Sequence, residues 1–373
     1  MFKYYHYVPV LKWKRGEQIG LANCIEETKK SLTPLIEIPP IPWDYNNECQ
    51  SCLVDEHISD IASTILKSFG PEKPFFIDVS LVDPEFLKSG DHIISIIFTD
   101  ALKNKLTMIP VVSLHEKIEF YDSIKNILNK KNNGICLRVC LDDFDDENIF
   151  KKITEDLFKE LSIKLENVDL VVDFGYLSEP VPMITIASII NNFVYDIEKW
   201  RTFTLVSSSF PFDMSEIERD SIETLTRIEW QMWESLLLRF KAGKIKRMPT
   251  YGDYVIANPE MTEIDPRTMN ISGNIRYTIM DDYLIIKGAA VRDVKRGGVI
   301  LKRGRGYTQM KSLCQALVKR SEFMGATFSW GDRYIEDCAN GKVSNGNAET
   351  WRRVGTNHHL TLVSGKLSTH GDS

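Results

Sequence analysis

Leu32-Thr33-Pro34-Leu35-Ile36-Glu37-Ile38-Pro39-Pro40 is a short apolar run with one carboxylate inside it and prolines closing it. Proline has no N–H and clashes with the preceding turn of a helix, so this run reads as a strand. Side chains alternate along a strand, which puts Ile36 and Ile38 on one face and Leu35 and Glu37 on the other. The pattern returns at 75–79 with Asp78, at 135–141 with Arg138 and at 168–174 with Asp173. Strands that are apolar nearly throughout belong to parallel sheets covered by helices. A lone charge near the end of such a strand points into a barrel mouth or a crevice.

The rest of the first 257 residues keeps this rhythm. Strands are expected at 5–13, 32–40, 75–79, 106–114, 135–141, 168–174, 203–209 and 248–257. Helical patterns fall between them, at 17–30, 55–69, 84–103, 116–130, from the acidic 142–147 loop to 161, up to 193, and at 215–241. Eight strands alternating with helices predict an α/β fold, a (β/α)8 TIM-barrel-like core over 1–257. A doubly wound sheet is the rival, and its dinucleotide form loses support because no GxGxxG follows the first strand. Beyond 258 the rhythm breaks. A hairpin (274–280 and 283–288), a basic glycine-rich stretch and a helix near 308–323, expected as the eighth barrel helix, make residues 258–373 an α+β extension packed on the barrel.

With 43% hydrophobic and 26% charged residues, the 373-residue chain has a globular composition. Its net charge of −6 argues against a wholly basic nucleic-acid binder, although a local basic patch stays compatible. No apolar run is long enough to span a bilayer and the first residues do not read as a signal peptide, so a cytoplasmic protein without membrane contact is expected. The seven cysteines fit reduced thiols, and the single CxxC at Cys49 and Cys52 lacks a second pair.

Working groups of barrels come from the C-terminal strand ends and the loops after them. Those positions hold Lys12, Lys14, Glu37, Asp78, Ser113, Arg138, Asp173, Ser207 and Asp253. Glu37, Asp78, Asp173 and Asp253 are the candidate catalytic acids and bases; Lys12, Lys14, Arg138 and Ser207 are candidate ligand contacts. A Glu37–Arg138 or Asp78–Lys12 pair that merely braces the rim is the plainer alternative. Between 287 and 306, seven basic residues and five glycines stand against one acid. Arg276 and Lys287 join the ligand candidates on this side of the chain, for a phosphate or nucleic-acid backbone, although no P-loop motif is present. Asp332, His358 and His359 complete the candidates. Adjacent histidines on a strand face opposite ways, so only one of them would form a site with Asp332 or Asp253, and a core or hydrogen-bonded tail histidine is the plainer alternative. No metal-ligand motif and no particular cofactor is read, although Glu37, Asp78 and Asp173 would serve as acid, base or metal-holding groups if the mouth were hydrolytic.

The stretches 7–17, 32–40, 328–334 and 355–360 resemble the "beta protein" family of satellite-phage and prophage genes, and the likeness runs from the first strand to the tail. The resemblance implies a protein encoded beside a toxic gene whose effect it restrains, within a phage-defence cassette, and therefore a protein partner. It carries over no catalytic residue. The expectation is a regulatory, antitoxin-like component. The alternatives are a hydrolase acting on a phosphoester or nucleotide at the mouth, and a nucleic-acid-binding module using 287–305.

Overall fold

In a computed structural model, which describes residues 2–82, 91–261, 265, 269, 271–296 and 299–371, eight parallel strands close into a barrel. They are β1 (Tyr7–Leu11), β2 (Leu35–Glu37), β3 (Pro74–Asp78), β4 (Thr107–Val112), β5 (Ile135–Cys140), β6 (Val168–Tyr176), β7 (Thr202–Ser208) and β8 (Thr250–Asp253). Each pairs with its neighbours in chain order, and β8 returns to β1 with Tyr7 opposite Tyr251. This is the (β/α)8 fold expected from the strand pattern.

Two apolar layers follow from the alternation. Val8, Val10, Leu35, Phe76, Ile109, Val111, Cys136, Val171, Val206 and Tyr254 fill the barrel, while the opposite faces of the strands pack outward against the helices. The mouth therefore rests on a solid apolar floor, not on a pore.

Three parts differ from the expected elements. Residues 221–226 are not helical: Ser221–Thr226 is a strand, and the helix starts only at Ile228 and runs to Lys241. The strand pairs antiparallel with Asp282–Ala290, which also pairs with Ser272–Thr278, so the hairpin becomes a three-stranded sheet. Its hydrogen bonds cross position 257. The helix Met310–Leu317 does not occupy the eighth barrel position; Met310, Cys314 and Leu317 pack on the sheet residues Ile275, Tyr277, Leu284 and Ile286. That position belongs to the C-terminal helix Ala348–Ser368, which lies against β1 and against α1 (Arg15–Ala22). The expected start of the 84–103 helix falls outside the described residues. No helix among the described residues is long and apolar enough to cross a membrane.

Candidate functional site

Five charges foreseen at strand ends meet in the barrel mouth. Arg138 lies at their centre because β5 sends Cys136 and then Arg138 inward. Its Nη1 donates to Glu37 Oε1 at 2.7 Å and to Asp78 Oδ2 at 2.6 Å, while Nε and Nη2 both reach Asp173 Oδ2, at 3.0 and 2.5 Å. Tyr254 closes the ring, its hydroxyl donating to Asp173 Oδ2 at 2.5 Å and accepting from Arg138 Nη2 at 2.6 Å. Lys12 lies 2.6 Å from Glu37 Oε2, donates to the Pro259 carbonyl, and stands 5.2 Å from the centre of the Tyr254 ring. Lys12, Glu37, Asp78 and Asp173 are all buried.

Three carboxylates and two cations leave this cluster one negative charge in excess. Burial alone would raise the Asp78 carboxyl, but Arg138 and the hydrogen bond from Ser80 N–H hold it below its ordinary value. It stays ionised and has no proton to give at neutral pH. Above the cluster opens a cavity of about 380 Å³, walled also by Ser113, whose hydroxyl donates to Glu116, and by His92 and Phe120.

The strand alternation decides which predicted residues miss the mouth. Inward residues follow β7 as Val206 then Ser208, and β8 as Gly252 then Tyr254; Ser207 and Asp253 have the other parity and face the helices. Assigning Asp253 as a mouth acid and Ser207 as a mouth contact is therefore corrected, and the same period-2 count would have put Ser208 and Tyr254 in their place.

Asp253 is instead the hub of a closed network behind the barrel wall. It accepts from the Tyr7 hydroxyl at 2.5 Å and the Tyr251 hydroxyl at 2.8 Å, and sits 2.9 Å from His359 Nε2 and 3.5 Å from Arg227 Nη2. Burial would raise its carboxyl, yet His359 and Arg227 hold it at about 2. Thr278 Oγ1 lies 2.7 Å from His359 Nδ1, giving the order of a hydroxyl, imidazole and carboxylate relay. All three are 0% exposed, so no substrate reaches them and the trio braces the wall.

His358 and His359 lie on a helix, not a strand, which corrects the opposite-face argument: both are buried, and each finds its own acid. His358 Nδ1 is 2.8 Å from Asp332 Oδ2, and its ring stacks on Tyr277 at 3.8 Å. With no exposure, His358, His359 and Asp332 are corrected from ligand contacts to internal ties. Lys287 is likewise corrected: it is buried and donates to the Met214 and Ile217 carbonyls at 2.5 and 2.6 Å, pinning the segment before Ser221–Thr226. Arg276 and Lys14 line a second cavity, of about 490 Å³, which shares Lys12 with the mouth and also includes Arg352, unforeseen in the sequence. Among the described residues no group of His, Cys, Asp and Glu is placed to hold a metal ion.

Comparison with known proteins gives a family. The model of the family described as "Beta protein" matches residues 7–365. No curated protein matches this chain. Among solved structures, a chitinase from Chromobacterium violaceum ATCC 12472 aligns over 84% of this chain and 90% of its own, at 10% identity and a TM-score of 0.28. So low a score carries nothing about activity.

Proposed function

This chain belongs to the Beta protein family, and from that premise we propose that it is a regulatory protein-binding component of phage defence, one that restrains or partners a toxic neighbour. The observation that carries the reading is the hairpin Val294–Arg296 and Val299–Lys302. It is a two-stranded sheet on which Val299, Ile300 and Leu301 are 64%, 43% and 63% exposed. Three consecutive exposed aliphatics on a strand with an open edge are a liability unless a partner covers them. Lys302 and Arg303 follow directly, while Arg305 pairs with Asp220 at 2.6 Å, so the surface suits a partner with an acidic rim around an apolar centre.

The state of the mouth supports binding over hydrolysis. Arg138 engages all three carboxylates, and Asp78 is held ionised, so Asp78 has no proton to give as a general acid.

Co-purification of this chain with the product of the adjacent toxic gene tests the reading. A stable complex is expected. Replacing Val299 and Leu301 together by Glu should abolish capture while leaving the folding midpoint nearly unchanged, since both side chains are exposed. Capture that survives this double change, or no capture by the unaltered chain, sinks the proposal. Binding through the same basic stretch to nucleic acid would instead fall steeply with salt.

A further inference from the structure

The second cavity, between the first turn of α1, the C-terminal helix and the strand Ser272–Thr278, has an unusual electrostatic design. Arg276 Nη1 and Arg352 Nη1 donate to the same acceptor, the Ile256 carbonyl, at 2.8 and 2.9 Å. Neither guanidinium forms an ion pair with a carboxylate among the described residues. Two part-buried like charges sharing one neutral oxygen repel each other. Burial and the Arg352 charge both push Arg276 below its ordinary pKa, and burial pushes Arg352 down against the pull of Glu17.

Two further features belong to the same walls. Lys14, at the rim, occupies the N-cap of α1 with no side-chain cap, and the first-turn residues Arg15 and Gly16 line the cavity beside it. The positive end of the helix dipole thus adds to the field there. Glu17 also lines the cavity; it is 5% exposed, its Oε2 has no hydrogen-bond partner, and burial raises its carboxyl. Arg276 otherwise rests over the Phe210 ring at 4.8 Å, and Arg352 feels only the pull of Glu17. A buried orphan acceptor beside two guanidiniums on one neutral oxygen is thus a costly arrangement that a ligand bringing both an anion and a donor relieves.

We infer that this cavity binds a small phosphorylated molecule, its phosphoryl group held between Arg276, Arg352 and Lys14 and a neighbouring hydroxyl or amino group donating to Glu17. Paired guanidiniums match the oxygens of a phosphoryl group as forks, which a lone lysine does not. A volume of about 490 Å³ falls within the range of small-molecule sites. The ligand approaches from beside the mouth, with Lys12 standing in both cavities. The inference does not rest on the hairpin reading of function.

Isothermal titration of the full chain tests it, with inorganic phosphate, a sugar phosphate and the nucleoside 5′-monophosphates as separate probes. At least one ester should bind more tightly than inorganic phosphate, because only the esters carry a hydroxyl or amino donor that reaches Glu17 while the phosphoryl group stays between the guanidiniums. Arg276→Gln and Arg352→Gln should each weaken that ester by about tenfold or more, and Lys14→Gln by about threefold. The unliganded Arg352→Gln chain should melt no lower than the unaltered one, because relieved repulsion offsets the lost hydrogen bond. If that variant does not fold, Lys14→Gln and Glu17→Gln, which leave the Ile256 contacts intact, decide the matter. Absence of heat with every probe at millimolar concentration, or affinity indifferent to these changes, overturns the site. Equal affinity for inorganic phosphate and all esters overturns the role of Glu17.

Discussion

Arg138 touches three carboxylates that come from three different strands, and its removal separates bracing from binding. Arg138→Met leaves Glu37, Asp78 and Asp173 buried with one cation, Lys12, and the neutral donors Tyr254 hydroxyl, Ser80 N–H and Gly175 N–H to answer them. Breaking a buried ion cluster from one side costs about 3–5 kcal/mol, read as a lower urea midpoint at pH 7. The pH slopes should differ in sign. In the unaltered chain the folded Asp78 pKa lies below its unfolded value, so its contribution is full above that unfolded value and is lost as pH falls through the folded one. Without Arg138 the burial of Asp78 moves its folded-state carboxyl up, and acid then recovers stability; a variant that weakens in acid like the unaltered chain contradicts this account. His6 supplies a second window. Burial pushes its imidazole down to about 4 from 6.5, so its contribution is full above 6.5 and is lost as pH falls through 4. Substituting His6 by Gln should remove on the order of 2 kcal/mol of this pH dependence between pH 7 and 4, measured as thermal midpoints. Glu37, Asp78 and Arg138 were legible in the sequence because each is the lone charge in an apolar strand, and Lys12 and Asp173 because they stand at strand ends. Tyr254 was not, since an aromatic on a strand gives no such contrast, and Asp253, an acid inside the 248–257 strand, has the parity that faces away from the mouth.

At the scale of elements, the fit of α1 to the C-terminal helix depends on residues that are small. A Cβ on Gly20 would lie 2.8 Å from Thr356 Cγ2 and 3.2 Å from the Arg353 carbonyl oxygen, and one on Gly16 would lie 2.7 Å from Arg352 Cγ. Gly20→Val should therefore push the helices apart and cost about 2 kcal/mol, seen as a lower midpoint in chemical denaturation. Gly20→Ala combined with Thr356→Ser should be less destabilised than the two single changes sum to, because removing Cγ2 takes away the nearest contact and leaves Thr356 Cβ, at 2.9 Å, as the remaining one; strict additivity would mean that the two sites do not couple. The strand Ser221–Thr226 shows why one element was misread. Ile217, Ile222, Leu225 and Ile228 fall at helical spacing, but 221–226 alternates between half-buried and exposed side chains at period 2. Three and four residue steps and two residue steps coincide often enough over a short run that the β-branched content, not the spacing, carries the information.

For the whole molecule, the barrel is closed by residues almost a hundred positions beyond its last strand. Leu360, Val363 and Leu367 of the C-terminal helix belong to the outer core of the barrel, while Trp351 and Val354 belong to the core of the antiparallel sheet. A helix buried between two layers has no continuous polar face and so no amphipathic stripe, which is why 351–360 did not read as a helix although its residues are among the most buried. The first seven βα units lack this difficulty, since each helix follows its strand and shows water one side. The same geometry sets a prediction for the chain cut after residue 257. That fragment retains all eight strands but loses His359 from Asp253, the Asp282–Ala290 partner of Ser221–Thr226, and the helix over β1. Asp253, Tyr7, Tyr251 and Arg227, all within the fragment, would then keep a buried charge network opened to water on one side. Separately produced, residues 1–257 should show helical circular dichroism without a sharp thermal transition and should bind a hydrophobic dye, as a collapsed state without fixed packing does. A cooperative transition near that of the full chain would mean that the barrel stands without its eighth helix, and would make the C-terminal segment a separate unit docked on a finished domain.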